Sequence, residues 1–165
     1  MTLANRAALL KIALIPLCLA FLLTGFLGLA ATIFLLLSFW DIVDGYIAKK
    51  YHQVSEFGRQ IDPLVDKILA VTVLIGLAGL GKADPVPVML ICGRELAVIG
   101  IRSRKVITNT PIVKWKTYLQ IGAIVMLLFN LPLANLVLWV AAALSLISGG
   151  VYLWRNPLFK QLKLN

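Results

Sequence analysis

No charged residue falls between Ile12 and Trp40, and none between Thr117 and Trp154. A helix rises about 1.5 Å per residue, so about 20 apolar residues cross a hydrocarbon core of about 30 Å. Each run is too long for one such span, and each carries turn-forming residues near its middle: Thr24, Gly25 and Gly28 in the first, Asn130-Leu131-Pro132 in the second. Both runs predict helical hairpins. Two further apolar segments, Pro63 to Leu80 and Pro85 to Ile101, lie between them, divided by the glycines and prolines of Gly79 to Pro87. The pattern predicts an all-α fold, an integral membrane bundle of six transmembrane helices forming a single domain over residues 1–165. Asn5 to Lys11 adds a short interfacial helix ahead of the first span. The first run is short for two helices, so either its spans extend past Lys11 and Asp41 or one long tilted helix replaces the pair. The run after Lys11 is also longer than the core of a secretory signal and has no clear small-residue cleavage site, so the N-terminal segment is expected to be retained.

Charge placement separates these alternatives, because cytoplasmic loops carry the excess of Lys and Arg. With six spans and both termini inside, Arg6, Lys11, Lys49, Lys50, Arg59 and Lys67 gather on one side. Arg102, Arg104, Lys105, Lys114, Lys116, Arg155, Lys160 and Lys163 join them, and only Lys82 lies clearly opposite. A single first helix would break this asymmetry. Composition agrees: 61% of residues are hydrophobic and 14% charged, the mean hydropathy is +0.94, and ordinary soluble domains carry about a quarter charged residues. A water-soluble globule, a disordered chain and a disulfide scaffold are excluded. The net charge of +9 would suggest nucleic acid in a soluble protein. In so apolar a chain it marks the cytoplasmic membrane face instead, and no nucleic-acid partner is expected. Cys18 and Cys92 sit in apolar runs and read as buried thiols. His52 reads as solvated, the four tryptophans as helix-end or lipid-facing residues, and Lys82 with Asp84 as an external loop pair.

Against this background the acids stand out. There are seven, and four of them, Asp41, Asp44, Asp62 and Asp66, fall at the cytoplasmic ends of the second and third spans. The spacings i,i+3 and i,i+4 put each pair on one helix face. An aspartate at the centre of a span costs about 2.5 to 3.5 kcal/mol on insertion scales, and four together repel one another. Lys49 and Lys67 could compensate two at most. Hard oxygen donors of this kind suit Mg²⁺, Mn²⁺ or Ca²⁺, and there is no His/Cys set for zinc. Two such ions would clamp a phosphate diester for displacement. Gly45, Ala48 and Gly58 keep the nearby backbone bare enough for a ligand to approach, although small residues also serve helix packing in membranes.

The string Asp41-Ile-Val-Asp44-Gly45-Tyr-Ile-Ala48-Lys49, followed after eight residues by Gly58-Arg-Gln-Ile-Asp62-Pro-Leu-Val-Asp66, resembles the DxxDGxxAR…GxxxDxxxD signature of the CDP-alcohol phosphatidyltransferases. Phe57-Gly58, Asp62-Pro63-Leu64-Val65-Asp66-Lys67, Arg94-Glu95, Arg102 and Lys114-Trp115-Lys116-Thr117 are similar to the phosphatidylglycerophosphate synthase branch. Lys49 stands where the family usually has Arg, replacing a planar fork with a point charge. Ala8 and Lys11 stand where the branch often has Thr and Arg.

The resemblance implies a metal-dependent transferase. Asp41, Asp44, Asp62 and Asp66 would hold two divalent ions, Mg²⁺ or Mn²⁺, and Asp66 would take the proton from the incoming hydroxyl. Asp41, Asp44, Gly45, Ala48, Lys49 and Gly58 would line the CDP site, and Arg94, Arg102 and Lys116 would hold the acceptor's phosphate. Arg94 could instead pair with Glu95 or snorkel, and Lys114 and Lys116 could be interface anchors. The expected substrates are CDP-diacylglycerol and glycerol 3-phosphate, the products phosphatidylglycerophosphate and CMP, and the setting a bacterial-type inner membrane with the active site cytoplasmic and the protein a homodimer. Alternatives are the same chemistry on phosphatidylglycerol or an inositol phosphate, and, from another class, a small cation transporter.

Overall fold

In the computed structural model the backbone is described over residues 3–50, 56–102 and 111–155, and side chains over 10–40, 64–99 and 115–150. The described residues form six helices and no strands: α1 (Leu3–Leu23), α2 (Leu27–Lys50), α3 (Glu56–Gly79), α4 (Pro85–Arg102), α5 (Pro111–Leu128) and α6 (Ala134–Arg155). The first apolar run does hold two helices, because α1 begins well before Lys11 and α2 runs well past Asp41. One expectation is corrected: Asn5 to Lys11 is not a separate interfacial helix but the opening turns of α1. No glycine or proline interrupts the chain there, and Pro16 is absorbed further along α1.

The breaks between helices follow from local chemistry. Gly25, Gly81 and Asn130 adopt positive φ of 84°, 68° and 50°, a region open to glycine and tolerated by asparagine. After α3 the Gly81 N–H bonds to the Ala78 carbonyl at 3.0 Å and the Lys82 N–H reaches back to Leu77 at 2.9 Å. After α5 the Asn130 N–H bonds to Leu127 at 3.1 Å and the Leu131 N–H to Met126 at 2.9 Å. Both are the paired closing bonds of a Schellman ending, which satisfy carbonyls the helix leaves open. Pro85 then starts α4 where a missing N–H costs nothing, and Asp84 caps it by accepting the Val86 N–H at 3.1 Å.

Short connections make α1 and α2, α3 and α4, and α5 and α6 antiparallel neighbours. The bundle packs α1 on α2 and α3, α4 on α3 and α6, and α5 on α6. Its core is Leu22, Phe34, Leu74, Leu77, Ile91, Ile124, Leu128 and Leu138, with fully buried alanines at 30, 31, 123 and 141 letting backbones approach. Gly76 lets α1 and α3 approach closely: a Cβ there would sit 2.6 Å from Leu22 Cδ2, so the leucine would have to move. The Cys18 thiol points at the Ala30 carbonyl across α1 and α2 at 3.5 Å, and both cysteines are free.

Large apolar side chains lie on the outside of this bundle as well as in its core. Phe26, Leu36, Met89, Leu96, Trp115 and Leu133 face outward, while Lys11, Glu95, Lys116, Gln120, Ser145 and Ser148 are buried. Among the described residues no helix is long and apolar enough to cross a membrane.

Candidate active site

Asp66 lies in the first half of α3, one helical turn beyond Asp62. Its side chain is 38% exposed, and on one side it meets Lys11 of α1, whose ammonium lies 3.5 Å from Oδ1 and is itself 3% exposed. Lys11, expected from the sequence as a cytoplasmic-side cation and a departure from the family pattern, is the buried charge partner of the expected catalytic base. Asp41, Asp44, Gly45, Ala48 and Lys49 lie on the last turns of α2, Gly58 and Asp62 on the opening turns of α3, and Arg102 ends α4. The side chains of all eight lie outside the described residues, so the carboxylate set is described at Asp66 alone. Among the described residues no three His, Cys, Asp or Glu side chains come together.

The residue after Asp66 points elsewhere. Lys67 reaches α4, where its ammonium is 3.0 Å from Glu95 Oε2. Arg94 Nη1 donates to Glu95 Oε1 at 3.1 Å, and Lys116 of α5 pairs with the same oxygen. Glu95 is 2% exposed, Lys116 4% and Arg94 8%. Of the three residues expected to hold the acceptor's phosphate, the structure thus brings Arg94 and Lys116 together. It does so around Glu95, the carboxylate that the sequence offered as the alternative ion-pair partner of Arg94, and that pair is present.

Helix α6 completes the cluster. Arg94 Nη2 donates to Ser148 Oγ at 2.9 Å, and the Ser148 hydroxyl donates its own proton to the Ser145 carbonyl at 3.0 Å, leaving its lone pairs to accept. The Arg94 stem lies on Gly149, where a Cβ would come within 3.1 Å of Arg94 Cγ and 3.3 Å of Nε. Ser148 and Gly149 were not singled out from the sequence. A stripe of Ser145, Ser148 and Gly149 in an otherwise apolar helix is the signal that would have pointed to them.

At the other end of the bundle, Lys82 and Asp84 do not form the expected loop pair. Lys82 Nζ donates to Asn130 Oδ1 at 2.8 Å, Trp139 Nε1 donates to Asp84 Oδ2 at 2.9 Å, and the Asp84 N–H donates to Asn135 Oδ1 at 2.9 Å. The capping geometry of Asp84 turns its carboxylate toward α4 and α6, away from the Lys82 ammonium. A cavity of about 250 Å³ lined by Lys82, Asn130, Asn135 and leucines opens there. It lies roughly 20 Å along α3 from Asp66 at about 1.5 Å per residue.

Among the described residues there are thus six helices, two of them carrying paired aspartates, and a buried charged cluster where α3, α4, α5 and α6 meet. The family model for CDP-alcohol phosphatidyltransferase matches residues 1–147, and the chain belongs to that family. It is 35% identical to the CDP-diacylglycerol–glycerol-3-phosphate 3-phosphatidyltransferase of Rickettsia bellii over 167 residues, covering 91% of this chain and 92% of the relative. Identity is also 35% to the protein of that name from Bacillus subtilis, covering 93% and 94%. A probable phosphatidylglycerophosphate synthase of Mycobacterium tuberculosis H37Rv is 35% identical, covering 93% and 80%.

Proposed function

We propose that this transferase moves a phosphatidyl group from CDP-diacylglycerol to glycerol 3-phosphate, giving phosphatidylglycerophosphate and CMP. Full-length similarity to relatives bearing that name supports the reading. The observation that carries it is the divergence of two consecutive residues of α3: Asp66 meets Lys11, while Lys67 joins the cluster around Glu95. A hydroxyl at Asp66 and a phosphate at the cluster would be served by two adjacent positions of one helix.

Asp66 takes the proton from the acceptor hydroxyl as its oxygen bonds to the β-phosphorus. The bond from that phosphorus to the bridging oxygen breaks, and CMP leaves with the electron pair. Arg94, Lys116 and Arg102 hold the acceptor's phosphate, and Asp41, Asp44, Gly45, Ala48, Lys49 and Gly58 hold the CDP portion. The donor set of Asp41, Asp44, Asp62 and Asp66, all hard carboxylate oxygens, fits two divalent ions. Asp66 agrees with this, being more than a third exposed and charge-paired on only its α1 side among the described contacts. Mg²⁺ or Mn²⁺ bound there would neutralise the pyrophosphate and stabilise the departing phosphate.

In the same reading the bundle is embedded in a bacterial-type cell membrane as a multi-pass protein, with both termini and the active site cytoplasmic. The outward leucines, phenylalanines and Trp115 and the buried lysines support lipid as the surrounding medium. A homodimer, implied by the family resemblance, is part of the reading; cross-linking in native membranes tests it, and a monomer band alone would contradict it.

Purified protein given CDP-diacylglycerol, Mg²⁺ and one acceptor at a time tests the function. CMP release with glycerol 3-phosphate is expected. Release only with phosphatidylglycerol or an inositol phosphate would contradict the acceptor, and cation flux through liposomes without CMP release would replace the enzyme with a transporter. Loss of activity in EDTA and its return with Mg²⁺ tests the metal.

A further inference from the structure

We propose that Glu95 is a positioning residue for the acceptor's phosphate: its two carboxylate oxygens set the spacing of Lys67, Arg94 and Lys116, and Ser148 with Gly149 fixes the plane of the Arg94 fork. The inference rests on the proposed phosphate-bearing acceptor and adds residues for which neither the family pattern nor the sequence assigned a role.

The arrangement has three parts. Glu95 divides its oxygens, Oε2 taking Lys67 from α3 and Oε1 taking Arg94 and, from α5, Lys116. Among the described residues it is the one group in contact with all three cations. Buried like charges from three helices repel strongly at short range, and the shared Glu95 carboxylate offsets that repulsion. Secondly, the Arg94 fork is held at both ends, Nη1 on Glu95 and Nη2 on Ser148, with its stem against Gly149. A planar guanidinium held this way has a fixed orientation, which suits it to bidentate recognition of a phosphate. Thirdly, buried ion pairs are poor stabilisers compared with well-packed apolar side chains of similar size. Four charged side chains collected inside an apolar bundle are therefore weakly explained as a brace, and well explained as a preorganised anion site.

Glu95→Gln keeps the shape and removes the charge. Wild type and variant in detergent are unfolded thermally over a range of glycerol 3-phosphate concentrations without donor, and their initial rates of CMP release are measured. The variant should need about tenfold more glycerol 3-phosphate or greater for the same thermal shift. Its KM for that acceptor should rise by a similar factor, since displaced binding groups cost about ten- to a hundredfold. Its KM for CDP-diacylglycerol should stay within about twofold, a split that a merely structural role would not produce. Equal acceptor dependence in both proteins, or tighter binding by the variant because Glu95 competes with phosphate, overturns the proposal. Should Glu95→Gln fail to fold, Glu95→Asp and Ser148→Ala carry the test: each raises the acceptor KM, and wild-type KM in both overturns the positioning role. A wild type stabilised by glycerol 3-phosphate that releases no CMP with it overturns the proposed transfer and leaves the positioning role standing. A wild type that turns over while Glu95→Gln keeps its KM does the reverse, and a wild type that glycerol 3-phosphate does not stabilise at all overturns the positioning role.

Discussion

Helices α3 to α6 are tied together by polar side chains at two levels, and the two sets of ties are built differently. Near the turns, Lys82 meets Asn130, and Asp84 meets Trp139 and caps α4, each contact matching a charge with a neutral partner in an exposed setting. Deep in the bundle, three cations from three helices converge on Glu95, with all four side chains largely out of solvent. One-to-one exposed contacts fasten connections together at small cost and small gain. A shared buried carboxylate is costly to desolvate, and its presence in an apolar bundle points to a charged visitor. The turn end is thus structural, and the Glu95 end is where we propose that the acceptor's phosphate is read.

Substitutions can break this contrast at points of decreasing leverage. Asp66→Asn should lower the rate of CMP release about 10²- to 10⁴-fold, the usual worth of a general base, in a protein that still folds; a rate within tenfold of wild type would remove that assignment. Arg94→Ala removes charged hydrogen bonds worth about 2 kcal/mol. Titration of glycerol 3-phosphate should therefore show its KM rise about thirtyfold, and an unchanged KM would return Arg94 to a structural ion pair. Asp84→Ala loses a helix cap and the Trp139 partner, so thermal unfolding should show a loss of about 1 to 2 kcal/mol. Its acceptor KM should match wild type, and a raised KM would dissolve the distinction between the two ends. Lys82→Gln, exposed and paired with an amide, should change stability by less than about 0.5 kcal/mol, and a larger loss would give the turn end an electrostatic role it is denied here.

The helices and their breaks were legible because they rest on local rules. Charge-free runs mark the helices, and Gly25 and Asn130 adopt the positive φ that ends a helix. The extent of α1 was less legible, since a basic residue at position 11 suggests an interface while the backbone simply continues through it. The Lys82–Asp84 pairing failed for a related reason: proximity in sequence says nothing about a cap, which commits Asp84 to the Val86 N–H. At the site, the motif spacing placed Asp62 and Asp66 on one face of α3, and Arg94 and Lys116 were recognised as candidate phosphate ligands. The Arg94–Glu95 pair was legible as an alternative, but the arrival of Lys67 and Lys116 at the same carboxylate was not, because it depends on how α4 and α5 each pack against α3. Ser148 was legible only as part of a polar stripe on α6; its partner Arg94, more than fifty residues away, was not.

The central claim is that buried cations read the phosphate of the second substrate. The most direct measurement compares initial CMP release by the wild-type protein, with CDP-diacylglycerol and Mg²⁺, on glycerol 3-phosphate and on glycerol at equal concentration. The two acceptors share the attacking hydroxyl and differ in the phosphate. Rapid release with glycerol 3-phosphate and almost none with glycerol is the predicted result, and comparable rates with both would contradict the account.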